Sequence, residues 1–154
     1  MTVVPIRGLF EAHLTVSDLD RSIAFYRDTL GLTLAHVIPE RQVAFFWVPT
    51  SDKAMLGLWC IGSSPLRMRL HIAFDVALDD VIRSVETLRA AGLTPRDSGG
   101  GNPIDEPVVL AWMPAASVYF DDPDGHALEY IAMLPDRPRP ELGRIAWSQW
   151  RRLT

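Results

Sequence analysis

"FEAHLTVSDLDRSIAFYRDTLGL", residues 10–32, decides the fold because its succession of patterns is met a second time. It opens with an alternating run, Glu11 to Val16, that reads as a strand. Ser17 offers a helix N-cap, and Asp18 and Asp20 place negative charge where the helix dipole is positive. Leu19, Ile23, Tyr26 and Leu30 recur at helical spacing, and Gly31 is a natural stop. The same succession returns at residues 70–93, "LHIAFDVALDDVIRSVETLRAAGL". A strand leads into a helix with Leu78, Val81, Ile82, Val85 and Leu88 on one face. Gly92, Leu93 and Thr94 then match Gly31, Leu32 and Thr33. His71 follows His13 by 58 residues and takes the same place in its strand.

Three strand-like runs follow the first helix: "LTLAHVI", "QVAFFWV" and "AMLGLWCI". After the second come a short run at Leu93–Pro95, then "VVLAW", "SVYFD" and "HALEYIAM". The order is strand, helix and three strands, given twice. A repeat near 60 residues is longer than solenoid repeats. The expected architecture is therefore α+β, with two tandem βαβββ modules at about 9–61 and 68–134. Together they fill one domain, residues 1–136. "GSSPLR" links the modules. The loop "RDSGGGNPIDEP", residues 96–107, reads as a flap. Residues 137–154 form a proline-rich arm expected to end in a short helix, with Leu142, Ile145 and Trp150 near one face.

Composition narrows the function. The 154 residues are 48% hydrophobic, enough for a core, and carry a net charge of −4. Neither nucleic acid nor an anionic membrane surface is a natural partner for such a chain. One cysteine, Cys60, excludes an internal disulfide. No apolar run reaches signal-peptide or membrane-spanning character, so a cytoplasmic location is expected.

Three residues carry ligand chemistry. His13 and His71 lie in the first strand of each module. Glu129 lies in "ALEYI", a strand that otherwise reads as core, after the turn of "YFDDPDGHALEYI". Each sits among apolar neighbours, where an unpaired imidazole or carboxylate is costly. Two imidazoles and one carboxylate suit a divalent ion, Mn2+ or Fe2+ first, with Zn2+ and Ni2+ as alternatives. The competing reading makes them core residues, with Arg67 or Arg69 pairing Glu129. Tyr119 shares a strand face with Ser117 and either reaches the metal pocket or is a core aromatic. Thr15 lies two residues beyond His13, and Trp47 and Trp59 either wall a substrate pocket or fill the core. His126 points away from the Glu129 face, and His36 and Asp52 read as structural or surface residues.

"HLTVSDLDRSIAFYRDTLGL", "LHIAF", "LRAAGL" and "YFDDPDGHALEYI" together resemble the vicinal oxygen chelate superfamily. Its members include glyoxalase I, extradiol dioxygenases, fosfomycin-resistance enzymes and bleomycin-binding proteins. The resemblance spans nearly all of Leu9 to Met133. It implies a curved mixed sheet around a metal held by His13, His71 and Glu129, and a homodimer with modules paired between chains. It also implies a small-molecule substrate and catalytic roles for Tyr119 and Thr15, with Ser117, Trp47 and Trp59 at the substrate. Glyoxalase I enzymes often use a fourth ligand where Gly57 stands opposite Glu129 in the module alignment. The three-ligand pattern is closer to the fosfomycin-resistance and extradiol groups. Fosfomycin-type epoxide opening is the expected activity, with ring cleavage, glyoxalase-like isomerisation and metal-free ligand binding as alternatives.

Overall fold

A computed structural model describes residues 8–60, 69–98 and 101–153. The predicted linker "GSSPLR", Arg67, and two glycines of the predicted flap lie outside the described residues. The chain divides into two compact units, Met1–Met68 and Arg69–Thr154.

Unit 1 runs β1 (Glu11–Val16), α1 (Leu19–Ala24), β2 (Thr33–Ile38), β3 (Val43–Val48) and β4 (Ala54–Cys60). Its sheet has the order β1-β4-β3-β2, with β1 parallel to β4 and the other pairs antiparallel. Alternation explains the core: Leu14, Val16, Phe46, Leu56 and Leu58 are buried from one side of these strands. The helix continues through a π turn, Phe25–Thr29. The wider turn shifts the apolar face so that adjacent Phe25 and Tyr26 are both buried. The regular stripe expected from Leu19, Ile23 and Leu30 is therefore only approximate. Asp18, not Ser17, caps the helix, its carboxylate accepting from the Arg21 N–H at 3.0 Å. Gly31, at φ +72°, supplies the left-handed residue that turns the chain into β2.

Unit 2 runs β5 (His71–Asp75), α2 (Leu78–Ala90), β6 (Val108–Leu110), β7 (Ala115–Asp121), β8 (Ala127–Met133), β9 (Arg144–Ala146) and α3 (Trp147–Leu153). Its sheet has the order β5-β8-β7-β6-β9. α2 buries Val81, Ser84, Val85 and Leu88, while Ile82 faces outward, against the expected stripe. Leu93–Pro95 is no strand; pairing is confined to Arg96, which exchanges backbone bonds with Tyr119 at 2.8 and 3.1 Å. The C-terminal arm joins the sheet. Its β9 pairs antiparallel with β6, and the buried Trp150 donates its indole N–H to Asp136 at 3.1 Å. Leu142 lies in a 3-10 turn and Ile145 in β9, so of the expected helical trio only Trp150 is helical. The fold is α+β, built on two mixed sheets. No helix among the described residues is long and apolar enough to cross a membrane.

The two parallel ladders align the repeat. The first opens with the Met55 N–H donating to Phe10 O at 2.6 Å and pairs Glu11 with Met55. The second opens with the Ala127 N–H donating to Leu70 O at 2.8 Å and pairs His71 with Ala127. Matched from these first bonds, Glu11 takes the place of His71, and His13 that of Ala73. Gly57 takes the place of Glu129. Phe45, opposite Gly57, takes the place of Tyr119, opposite Glu129. The expected equivalence of His13 and His71 is therefore wrong by two residues. β1 enters its ladder two residues before His13, whereas β5 enters at His71 itself.

Candidate functional site

β5, β7 and β8 of unit 2 bring His71, Tyr119 and Glu129 together. His71 is the first residue of β5. Its Nδ1 lies 3.0 Å from the Ala127 carbonyl oxygen and its Nε2 lies 3.2 Å from Glu129 Oε2. A carbonyl only accepts, so Nδ1 carries a proton and Nε2 is turned toward the carboxylate. A carboxylate oxygen likewise only accepts, and an unprotonated Nε2 does the same. Two acceptors at this distance are satisfied by a proton or a cation between them. A second feature is Glu129 itself: it is 3% exposed, and its Oε1 has no hydrogen-bond partner among the described residues. A buried carboxylate with an open oxygen, beside an imidazole oriented by a carbonyl, fits a divalent cation.

Tyr119 stands directly opposite Glu129 and stacks on the His71 ring, with centroids 5.8 Å apart. Burial, then the neighbouring Glu129 carboxylate, raises its pKa, so the phenol stays protonated. Ser117 is fully buried on the same face. Its Oγ has no hydrogen-bond partner among the described residues, although the Tyr119 hydroxyl lies near enough to sense it.

Arg69 does not pair with Glu129. It binds Asp121, which also receives Arg96 Nη2 at 2.6 Å. Partial burial opposes ionisation of Asp121, but the Arg96 and Arg69 guanidiniums outweigh it and lower its pKa. Arg96 is itself buried, with its guanidinium 6.0 Å from the Tyr119 ring. His126 is fully buried and accepts the Leu70 N–H through Nδ1 at 3.1 Å. This ties the Asp122–Gly125 turn to the start of β5.

Unit 1 is built differently. The His13 ring lies over Gly57, where an added Cβ would collide with it. Trp59 donates its indole N–H to His13 Nδ1 at 2.5 Å, and Glu11 Oε1 lies 3.2 Å from His13 Nε2. An indole only donates, so Nδ1 is the acceptor and Nε2 carries the proton toward Glu11. His13, Leu14, Thr15 and Trp59 line a shallow concavity of about 310 Å³. The Arg41 guanidinium lies over the Trp59 ring, 4.8 Å from its centroid. Trp47 does not line this concavity; it is half-buried opposite Thr33 and Met55. His36 is exposed on β2, and Asp52 is an exposed turn residue bonded to Thr50 and Lys53.

Sequence reasoning passed over Glu11, although a carboxylate two residues before His13 shares its strand face. It also missed the Arg69–Asp121–Arg96 cluster, whose members are far apart in the chain. Among the described residues, no three His, Cys, Asp or Glu side chains are gathered closely enough to hold a metal ion by themselves. A larger concavity of about 580 Å³ lies along β9, lined by Asp97, Glu106, Arg144 and Gln149 among others, and includes none of the predicted site residues.

Comparison with known proteins agrees with this architecture. The family model described as "Glyoxalase/Bleomycin resistance protein/Dioxygenase superfamily" matches residues 8–130. The lactoylglutathione lyase of Salmonella typhimurium is 30% identical over 132 residues, 80% of this chain and 90% of that protein. The metallothiol transferase FosB of Lysinibacillus sphaericus is 30% identical over 146 residues, 89% of each chain. Among solved structures, an integron cassette protein from the Halifax Harbour sewage outfall metagenome is 30% identical with a TM-score of 0.69. The alignment covers 83% of this chain and all of that one. The fosfomycin resistance protein FosX of Mesorhizobium loti shares the fold at 21% identity, with a TM-score of 0.58 over 85% and 96% of the two chains.

Proposed function

Because the chain belongs to the glyoxalase/bleomycin resistance protein/dioxygenase superfamily, we propose that it is a divalent-metal-dependent enzyme that opens an epoxide or similar electrophile on a small oxygen-rich substrate. The observation that carries this reading is His71 Nε2 facing the buried, incompletely bonded Glu129 carboxylate at 3.2 Å. Those two side chains would hold the ion from unit 2, and Mn2+ or Fe2+ suits them. When bound, such an ion polarises a substrate oxygen and offsets negative charge developing there.

The chain's own groups do the rest. The Ala127 carbonyl fixes the tautomer and orientation of His71. Tyr119, held neutral by burial and by Glu129, donates its hydroxyl proton in a hydrogen bond to the substrate oxygen rather than acting as a base. Ser117 offers a second hydroxyl beside it. Thr15 and Trp59 give the unit 1 concavity a polar and an aromatic surface. Gly57 carries no carboxylate at the counterpart of Glu129, which favours addition over the isomerisation of four-ligand glyoxalases. FosB, a metallothiol transferase, supports the same choice. The working form we propose is a homodimer.

The test begins with metal content. Wild-type protein should bind one divalent ion per chain, and Glu129→Gln should not. With Mn2+ loaded, fosfomycin should be consumed in the presence of glutathione or water, while catechol should give no oxygen uptake. Wild type that takes up no divalent ion, or a Glu129→Gln variant that keeps it, ends the metalloenzyme reading. Light scattering of the purified chain reads the dimer.

A further inference from the structure

We propose that Arg144, in the C-terminal arm, is a positioning residue for Tyr119 and acts on it through Ser98. The inference rests on the reading of Tyr119 as the group that donates a hydrogen bond to substrate. Every residue it uses lies in unit 2.

Backbone pairing comes first. Arg96 exchanges backbone hydrogen bonds with Tyr119 at 2.8 and 3.1 Å, and its buried side chain sets the guanidinium 6.0 Å from the Tyr119 ring. The two sides of the following loop are then drawn together. The Asp97 N–H donates to Asn102 O at 2.9 Å, and the Ile104 N–H donates to Pro95 O at 3.1 Å. Ser98 comes two residues after Arg96, so its hydroxyl is carried on a segment already fixed to β7 at Tyr119.

The arm comes second. Arg144 opens β9, and its Nη1 donates to Ser98 Oγ at 2.6 Å. Asp97 and Glu106 line the same concavity as Arg144, yet this bond goes to a neutral hydroxyl. The arm is secured close by. Glu106 accepts the Ser148 N–H at 2.7 Å and the Ser148 hydroxyl at 2.9 Å, and the Trp147 N–H donates to Pro107 O at 2.9 Å. The guanidinium therefore reaches Ser98 from a strand paired with β6.

Chemistry comes third. A hydroxyl has one proton to donate and two lone pairs that accept. With Arg144 donating to its oxygen, Ser98 keeps its own proton to donate, and a charged neighbour polarises that O–H into a stronger donor. Burial first, and Glu129 next, push the Tyr119 pKa up; Ser98 and Ser117 act the other way, as hydroxyls donating to the phenol oxygen do. The phenol oxygen is thus served from the serine side, and the phenol proton is left for the side of Glu129, its cross-strand partner. Donation runs in one direction, from Arg144 through Ser98 and Tyr119 toward Glu129.

The chain has three tyrosines, so protein labelled with carbon-13 at tyrosine Cζ gives three phenol resonances, and Tyr119→Phe assigns the one of interest. Neither metal nor turnover is needed. The Tyr119 resonance should move in the same direction in Ser98→Ala and in Arg144→Met, which keeps the length of the side chain and removes its donors. The double variant should move it no further than Ser98→Ala alone. Arg144→Lys, which restores a charged donor, should bring it most of the way back. Glu106→Ala loosens the arm without touching Ser98 and should leave it in place. A resonance unmoved by Arg144→Met, moved further by the double variant than by Ser98→Ala, or moved as far by Glu106→Ala, overturns the assignment. Metal content tests the metalloenzyme reading separately: wild type that binds no divalent ion removes that reading, and the Tyr119 resonance still decides the coupling.

Discussion

Unit 1 and unit 2 place opposite residues on one scaffold. Where β1 meets β4, the large polar side chain is His13 and its direct partner is Gly57; where β5 meets β8, the partners are Ala73 and the large Glu129. The cross-strand pair is one large group and one tiny one in both units, with the strands exchanged. Parallel strands bring partner side chains close enough that two large groups at one register compete for the same space. The surroundings then diverge. Tyr119 and a carbonyl acceptor surround the unit 2 pair, while Phe45 and an indole donor surround the unit 1 pair. One imidazole turns Nδ1 to a carbonyl acceptor and the other turns it to an indole donor. A repeat conserves ladder positions and can still divide the chemistry between its copies.

The largest test of this contrast removes the buried carboxylate. Glu129→Gln should abolish tight divalent-ion binding and leave the metal-free protein at least as stable as wild type. The carboxylate is buried with one oxygen unpaired, and an uncompensated buried charge is costly. Thermal melts with chelator and with Mn2+ should show the metal-induced rise in the wild type alone.

The second test breaks the size exchange in unit 1. Gly57→Ala places a Cβ into the His13 ring and 3.3 Å from Phe45 Cε1. The ring must leave its bond to Trp59, and overpacking of this kind costs about 1–3 kcal/mol. Adding His13→Ala should return most of that loss, because Ala at both positions fits. A double-mutant cycle by urea unfolding checks it, and purely additive effects would refute the pairing.

The architecture was legible because it depends on local patterns: alternation at Glu11–Val16, helical spacing at Leu78–Leu88, and glycine stops at Gly31 and Gly92. The correspondence of the two modules was legible only to within two residues. His13 and His71 share a residue type, and nothing in either strand reveals where its partner strand starts to pair. The register is fixed by Met55 and Ala127, more than 40 and 50 residues away respectively. Glu11 shares a strand face with His13 in the sequence, but its ladder position is set by the same distant register. As an exposed acid at a strand start it reads as ordinary, until the ladder sets it opposite Met55. The arm's β9 was hidden by its prolines, which favour an extended segment without saying that three residues will pair with β6.

A smaller effect is expected at the arginine-bound carboxylate that separates the units further, since unit 2 alone carries the Arg69–Asp121–Arg96 cluster. Asp121→Asn should cost about 1–2 kcal/mol at neutral pH, toward the lower end because Asp121 is 40% exposed. The pKa of the folded protein's Asp121 is lowered despite partial burial, through Arg96 and Arg69. Its contribution is therefore complete above the unfolded carboxylate value of about 3.9 and is lost as pH falls through the lower folded value. Urea midpoints should differ between wild type and variant at pH 7 and converge near pH 2.

The smallest effect at neutral pH is expected where Phe45 and Tyr119 occupy counterpart positions, because the two side chains differ by one hydroxyl. Tyr119→Phe makes unit 2 resemble unit 1 there and should change neutral stability by at most about 1 kcal/mol. The difference grows at high pH. Burial, followed by the Glu129 carboxylate, raises the Tyr119 pKa, so the folded state holds that proton after the unfolded chain has released it. Stability from this group is full below the unfolded value of about 10 and declines as pH rises toward the folded value. Other groups titrate alike in both proteins, so the slope of unfolding free energy between pH 9 and 11 should be steeper for wild type than for Tyr119→Phe. Equal slopes would mean that the hydroxyl is not confined beside Glu129, and would remove its proposed part as a proton-bearing donor to substrate.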